Sequence, residues 1–261
     1  MMIIETLPSK GNFFRSKILD FILSTSYIYP RFLAARKNYF LKKSKLNLSN
    51  SEYARENTIS HNSVALTDIS GDIKMSRIER LIWPLLSLEN IRKSSKFLII
   101  GPRTEHDIFM VRKYGFVNVY GLDLMSYSPH IFCGDMHKMP FKNEEFDVVI
   151  VAWTLAYSNN QTLALSEIFR VVRTGGCIAL GWEYLSGSVE RPDVNSIRSK
   201  DDEGKINDIK DLEKFLSVYE TEWIFRSNAP LRNCDIKTNE TVHGLARSQC
   251  LAIFSKSTPS L

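Results

Sequence analysis

From Lys96 onward the sequence alternates short apolar runs with amphipathic stretches, and no other feature constrains the fold as much. Phe97-Leu98-Ile99-Ile100-Gly101 is continuous and apolar, and it stops at Gly101-Pro102. Such a run, bounded by turn residues, suits a strand buried on both faces of a parallel sheet. Residues 104–114 follow as a helix: Thr104 can cap it, acidic residues fill its first turn and Gly115 stops it. Residues 118–123 are predicted as a second strand, 130–135 as a short third, and 146–153 as the strongest strand of all. A helix over 160–172, with Glu167 and Arg170 able to pair on one face, leads to Gly175-Gly176. Those glycines turn the chain into a fifth strand over 177–182. Residues 208–219 read as another helix, and 222–226 and 249–256 as closing strands, antiparallel at the sheet edge. Strict β-α-β alternation predicts an α/β fold with a doubly wound, mostly parallel sheet and helices on both faces.

Residues 11–48 have a different texture. Phe14, Ile18, Phe21 and Ile22 recur at helical spacing, and Phe32, Ala35 and Tyr39 do so again beyond Pro30. Pro30 is expected to end or kink the first helix, leaving two short helices with basic, aromatic-rich faces. Such helices suit packing on the main domain or covering a pocket. They also suit peripheral contact with an anionic membrane surface, and both readings stand. Residues 47–57 read as a polar linker, and 75–83 as a third amphipathic helix before Pro84, with 85–91 as its continuation. The expected organisation is a helical extension over 1–50, a linker and packed helix over 51–95, and the main domain over 96–261.

Composition excludes more than it identifies. A hydrophobic share of 44% and a charged share of 24% are those of an ordinary globular chain. The net charge of +5 is modest and concentrated early, so it carries no strong nucleic-acid signal. The 4 cysteines, Cys133, Cys177, Cys234 and Cys250, lie far apart with no CxxC pair, which gives no zinc or dithiol framework. His130, Cys133, Asp135 and His137 are close in sequence, but their spacing fits a polar loop after a strand better than a metal site. No segment approaches the roughly 20 apolar residues that span a bilayer, and the start lacks a signal-peptide h-region. The expected location is the cytoplasm, peripheral to the membrane if the early helices lie on it.

In doubly wound sheets, ligands sit at the carboxyl ends of the strands, near the switch in strand order. The residues to read are therefore Gly101-Pro102-Arg103-Thr104-Glu105, Asp123, Asp135 and Met136, then Trp153, Thr154 and Tyr157, and finally Glu183 and Tyr184. Asp123 lies about 20 residues beyond Gly101, the spacing of an acid that accepts hydrogen bonds from ribose hydroxyls.

Gly134-Asp135-Met136-His137-Lys138-Met139-Pro140-Phe141, followed by Phe146-Asp147-Val148-Val149 and by Val171-Val172-Arg173-Thr174-Gly175-Gly176, carries a resemblance as a set. Over residues 96–184 the chain resembles the class I S-adenosylmethionine-dependent methyltransferases, in particular their small-molecule "type 11"-like branch. The resemblance implies a Rossmann-like domain. It also implies that Gly101 lets the backbone approach the methionine part of the cofactor, and that Asp123 binds the ribose hydroxyls. Asp135 would accept from the adenine amino group, Met136 would lie against the ring, and Trp153 would flank the sulfonium. The chain departs from the family in its first loop, where only Gly101 survives of an acid-x-Gly-x-Gly-x-Gly run. Arg103 can pair there with the cofactor's carboxylate and Glu105 with its amino group; the alternative is a structural Arg103–Glu105 ion pair. The Gly-Pro-Arg-Thr-Glu loop, with Gly121-Leu122-Asp123-Leu124 and Ser126-Tyr127-Ser128-Pro129, is similar to a bacterial subgroup of these enzymes.

The expected reaction is methyl transfer to a small-molecule or glycan- or lipid-linked acceptor. Tyr157, Glu183, Tyr184 and His137 are the candidates for a catalytic group. The segment Ala152-Trp153-Thr154-Leu155 stands where an Asn-Pro-Pro-Tyr motif would signal amino-group methylation of bases or glutamine. A non-catalytic cofactor-binding or scaffold protein is the alternative. A nicotinamide-dependent oxidoreductase fits less well, because G-x-G-x-x-G is absent and Asp135 has no role there.

Overall fold

The computed structural model describes residues 12–43, 46–51, 77–185, 206, 209–227 and 247–257. Two helices, α1 (Asn12–Ser24) and α2 (Ile28–Lys43), lead to a two-residue strand β1 (Asn47–Leu48) and then α3 (Glu79–Leu86). The main domain runs β2 (Lys96–Ile100), α4 (Glu105–Arg112), β3 (Asn118–Asp123), β4 (Met125–Ser126), β5 (Ile131–Cys133) and β6 (Phe146–Ala152). A 3-10 turn (Leu155–Tyr157), α5 (Gln161–Val171), β7 (Val172–Leu185), α6 (Ile209–Leu216), β8 (Thr221–Ser227) and β9 (Arg247–Lys256) complete it.

Seven strands form one sheet in the order β5-β3-β2-β6-β7-β9-β8. The first five are parallel, and β9 runs antiparallel to both β7 and β8. Alternation along the strands divides the core. Leu98, Ile100, Val149, Val151, Ile178 and Leu180 face one apolar cluster, which α5 and α6 cover with Leu165, Ile168, Phe169, Leu212 and Leu216. Phe97, Ile99, Val148, Ile150, Cys177 and Ala179 face the other, covered by α3 and α4 through Leu81, Ile82, Leu85, Ile108 and Val111. Burying a side chain of this size is worth about 1.5–3 kcal/mol, so both layers are held chiefly by apolar burial. This is the doubly wound, Rossmann-like sheet that the alternation predicts, with an N-terminal helical extension packed on it.

Local chemistry explains the element ends. Thr104 caps α4 by accepting from the His106 N–H at 3.3 Å, and Asn160 caps α5 by accepting from Leu163 N–H at 3.0 Å. Gly115 ends the α4 region at φ 86°, a backbone conformation glycine adopts without a Cβ penalty.

Four expectations are corrected. Pro30 does not terminate α1; it sits in the first turn of α2, where its missing N–H has no intrahelical partner to lose. Pro84 lies inside α3, and the helix ends at Leu86. Gly175-Gly176 is not the turn into β7 but lies within it, at a shift in register between Phe146↔Val172 and Val148↔Cys177. A Cβ on Gly176 would meet the carbonyl oxygens of Arg173 and Asp147 at 2.8 Å, so that bulge needs glycine. Part of the stretch read as a linker forms β1, which pairs antiparallel with β4 (Asn47↔Ser126, Leu48↔Met125). Residues 52–76, 186–205, 207 and Cys234, on which other expectations fall, lie outside the described residues.

Candidate functional site

The strand order reverses between β2 and β6. From β2 the chain builds outward through β3 and β5, then crosses back to begin β6 on the opposite side. The crevice at the carboxyl ends of these two strands is the switch point where doubly wound folds hold ligands. Three left-handed residues surround it: Gly101 at φ 71°, Arg103 at φ 52° and Trp153 at φ 61°. A non-glycine residue in this region costs of order 1–3 kcal/mol, and such strain concentrates at functional sites.

Gly101 is held by its N–H to Leu122 O at 2.8 Å. A Cβ there would stand 2.3 Å from Cγ2 and Oγ1 of Thr154, whose hydroxyl donates to Ile100 O at 3.0 Å. Glycine at this position is therefore required by close packing between the β2 and β6 loops. The room expected for a ligand beside its α-carbon is filled by Thr154.

Asp123, at the end of β3, is 5% exposed. Its carboxylate accepts from the backbone N–H of Arg103 at 3.0 Å and of Met125 at 3.2 Å. The left-handed turn at Arg103 is what aims that N–H at Asp123, so the loop conformation and the acid form one unit. Burial pushes the Asp123 carboxyl up, and the backbone hydrogen bonds and the Arg103 charge do not offset it. The Arg103 guanidinium reaches the other way and donates from Nη2 to the Tyr157 hydroxyl at 3.1 Å. Arg103, Asp123 and Tyr157, singled out separately in the sequence, thus meet at the crevice.

Asp135 follows β5 and accepts from His137 at two points, the backbone N–H at 2.9 Å and Nδ1 at 2.5 Å. Burial raises this carboxyl, but the hydrogen bonds from His137 and from the Ser51 side chain outweigh it and hold it below the usual carboxylate range. On the other side of the ring, His137 Nε2 lies 2.6 Å from the Ser158 hydroxyl. Ser158 Oγ in turn accepts from Asn160 N–H at 2.9 Å. This Asp-His-Ser chain has the order of a hydrolytic triad, but Ser158 is fully buried and His137 is 4% exposed. It acts as a brace between the β5 and β6 loops. Both ring nitrogens of His137 are engaged, which removes it as the base for an incoming acceptor.

Glu105 is the clearest correction. It is fully buried, and its carboxylate receives Arg36 of α2 in a two-pronged pair at 2.6 and 2.8 Å. Ser128 Oγ donates to Oε1 at 2.5 Å, and the Glu105 N–H donates to the Tyr127 hydroxyl at 3.0 Å. Burial alone raises this carboxyl, but the hydrogen bonds from Arg36 and Ser128 and the Arg36 charge hold it below its ordinary value. A carboxylate so enclosed is not presented to a cofactor amine. The structural alternative was right in kind and wrong in partner, since Glu105 pairs with Arg36 and Arg103 goes to Tyr157. Arg36 lies 69 residues away in sequence, and no local pattern signals it. Ser128, by contrast, stood in the quoted Ser-Tyr-Ser-Pro segment.

Trp153 is 6% exposed, and its Nε1–H has no hydrogen-bond partner among the described residues. Its ring packs on Gly181, where a Cβ would approach to 2.8 Å, and the Arg77 guanidinium lies 5.5 Å from the ring centre. Met136 is half-buried against the apolar cluster beneath α5. Glu183 and Tyr184 pair with Gln249 and Ser248 near the end of β7. His130 faces Arg112 at 3.3 Å while His137 faces Ser158, so the two histidines do not converge.

This arrangement has the fold of the Rossmann-like methyltransferases, with polar groups gathered at its switch point. Residues 99–180, just under a third of the chain, match the family described as "Methyltransferase domain". No curated protein matches the chain. Among solved structures, that of MccD protein is 15% identical with a TM-score of 0.52, covering 69% of this chain and 96% of that one. The [4+2]-cyclase SpnF is 11% identical with a TM-score of 0.52, covering 89% of this chain and 95% of its own. A sarcosine dimethylglycine methyltransferase from Galdieria sulphuraria, so described as a putative activity, is 14% identical with a TM-score of 0.51, covering 69% and 84%. At these identities the likeness is one of fold.

Proposed function

We propose that the chain is an S-adenosylmethionine-dependent methyltransferase acting on a small-molecule or glycan- or lipid-linked acceptor. The observation that carries this reading is Asp123. Its buried carboxylate is oriented by the backbone N–H groups of Arg103, Met125 and Leu124 at the end of the second parallel strand, beside the switch point. It stands where an acid of a doubly wound sheet accepts from the vicinal diol of a ribose. The rest of the donor set fits the same cofactor. Arg103 offers a guanidinium for a carboxylate, Asp135 offers a carboxylate for the adenine amino group with Met136 near it, and Trp153 borders the methyl side. The cofactor, when bound, supplies an already activated methyl group on a sulfonium.

What the protein contributes is placement. Asp123 and Arg103 fix the two ends of the donor, and Thr154 closes the floor between them. Tyr157, held by Arg103, stands at the donor–acceptor boundary and orients an acceptor oxygen or nitrogen through its phenol. A base is required only for a hydroxyl or ammonium acceptor; with His137 engaged, Tyr157, Glu183 and Tyr184 remain as candidates.

Calorimetric titration with S-adenosylmethionine and S-adenosylhomocysteine, beside an Asp123→Ala variant, tests the reading. Micromolar binding that the variant loses supports it; no binding of either ligand to the wild-type chain ends it. A second reading is a cofactor-binding protein with other chemistry or none. It is favoured by the match over 89% of this chain to a protein described as a [4+2]-cyclase. Methyl transfer to any acceptor would exclude it.

A further inference from the structure

We infer that the N-terminal extension completes the nucleoside half of this site: residues 46–51 form a strap that walls in the ligand across the ends of β3 and β5. The inference rests on the cofactor reading above and adds residues that the methyltransferase-type segment does not contain.

The geometry runs from anchor to strap. α2 is fixed to the first residue of α4 by the buried Arg36–Glu105 pair, and α2's Tyr29 hydroxyl meets His106 Nδ1 at 2.8 Å one residue later. β1, the next element after α2, lies beside the segment that follows β3. There Asn47 and Leu48 pair with Ser126 and Met125, and Ser49 N–H donates to Leu124 O at 2.8 Å. These partners are the three residues directly after Asp123. Two residues on, the Ser51 side chain donates to Asp135. The strap therefore touches the segment that follows Asp123 and then Asp135 itself, within five residues of sequence.

This also accounts for the altered first loop. Glu105, expected to serve the ligand, instead anchors the helix that delivers the strap. The strap is lightly held: a two-residue ladder cannot stand alone, and Leu48 remains 57% exposed. Its opening costs little compared with unfolding the sheet, which suits a wall that must admit a ligand and then close over it.

The test uses the full chain and S-adenosylhomocysteine. Hydrogen exchange is measured at the amides of residues 46–51 with and without ligand, and binding kinetics are measured for wild type, Ser49→Pro and Ser51→Ala. Ser49→Pro deletes the N–H that bonds Leu124, at a site where the preceding residue is already extended. The wild-type strap is expected to gain protection on binding. Each variant is expected to release the ligand about three- to tenfold faster, the value of one hydrogen bond, with a thermal midpoint near wild type. Ligand binding with unchanged strap protection and wild-type kinetics in Ser51→Ala would overturn the inference while leaving the cofactor reading intact. So would tighter binding by either variant, since the strap would then compete with the ligand for Asp135. Failure of the wild type to bind would remove both.

Discussion

Two carboxylates on either side of the first loop, Glu105 and Asp123, are buried to almost the same degree, at 0% and 5% exposure, yet their acidities move in opposite directions. Glu105 receives a two-pronged guanidinium and a serine hydroxyl, and these outweigh the burial that would raise it. Asp123 is held by backbone N–H groups whose partial charges do not offset its burial. The first is a structural joint closed by a guanidinium, while the second is held chiefly by backbone groups. The comparison teaches that burial of an acid near a ligand crevice does not mark a ligand contact; the kind of partner it already has does.

The largest expected effect breaks the joint. Arg36→Met leaves Glu105 buried and uncompensated, and denaturant unfolding should show a loss of about 3–5 kcal/mol. Replacing both partners, as Arg36→Met with Glu105→Leu, should recover most of that loss, because no buried charge remains. If the double variant is as unstable as the single one, the pair is not what holds α2.

At the other acid the effect should appear in binding. Asp123→Asn should weaken S-adenosylhomocysteine about a hundredfold in calorimetry, the value of two hydrogen bonds to a charged acceptor. Glu105→Gln should leave the intrinsic affinity of the folded protein within a few-fold of wild type. The two variants thus separate the ligand acid from the anchor acid.

Stability against pH sharpens the same contrast. The Glu105 carboxyl is held below its ordinary 4.5, so its contribution is present above that pH and is lost as pH falls through the folded value. The Asp123 carboxyl is raised above 3.8, so its contribution is fully present below that pH and is lost as pH rises through the folded value. Urea titrations from pH 3 to pH 7 should therefore show the wild-type advantage over Glu105→Gln growing with pH. Relative to Asp123→Asn, the wild type should lose ground over the same range. A further slope comes from His106, whose buried ring is lowered from 6.5 to about 4. Its contribution is present above pH 6.5 and falls away as pH drops toward 4, and His106→Gln should flatten that part of the curve.

The smallest effect tests the bridge out of the site. Tyr157→Phe removes the hydroxyl that receives Arg103 Nη2 and should weaken ligand binding about fivefold, near 1 kcal/mol. A wild-type affinity would place Tyr157 on the acceptor side alone.

The sheet was largely legible in the chain. Apolar runs at 97–100, 119–122 and 148–152 became the cores of β2, β3 and β6, and Thr104, Gly115 and Asn160 marked helix ends through contacts made within four residues. The crevice itself was partly legible, because the residue after each strand can be named once the strands are known. Arg103, Asp123 and Tyr157 do meet there. What each group does was less so. Glu105 and Arg103 are two residues apart and equally able to pair, and only the arrival of α2 assigns Glu105 to Arg36. His137, a plausible base from its position, is spent bridging Asp135 and Ser158. Pro30 and Gly175-Gly176 misled for a related reason. A proline in a first turn and a proline after a helix look alike in sequence, as do a glycine turn and a glycine bulge.

By itself, then, the sequence determined the alternation of strands and helices and the residues at several helix ends. These follow from periodicity and from interactions between near neighbours. Tertiary structure alone decided which buried acid meets a guanidinium and which meets backbone N–H groups. It also decided that residues 47–51 pair with the segment after Asp123 and reach Asp135. Such assignments depend on partners tens of residues away, whose charge reaches a carboxylate only once the chain has folded around it.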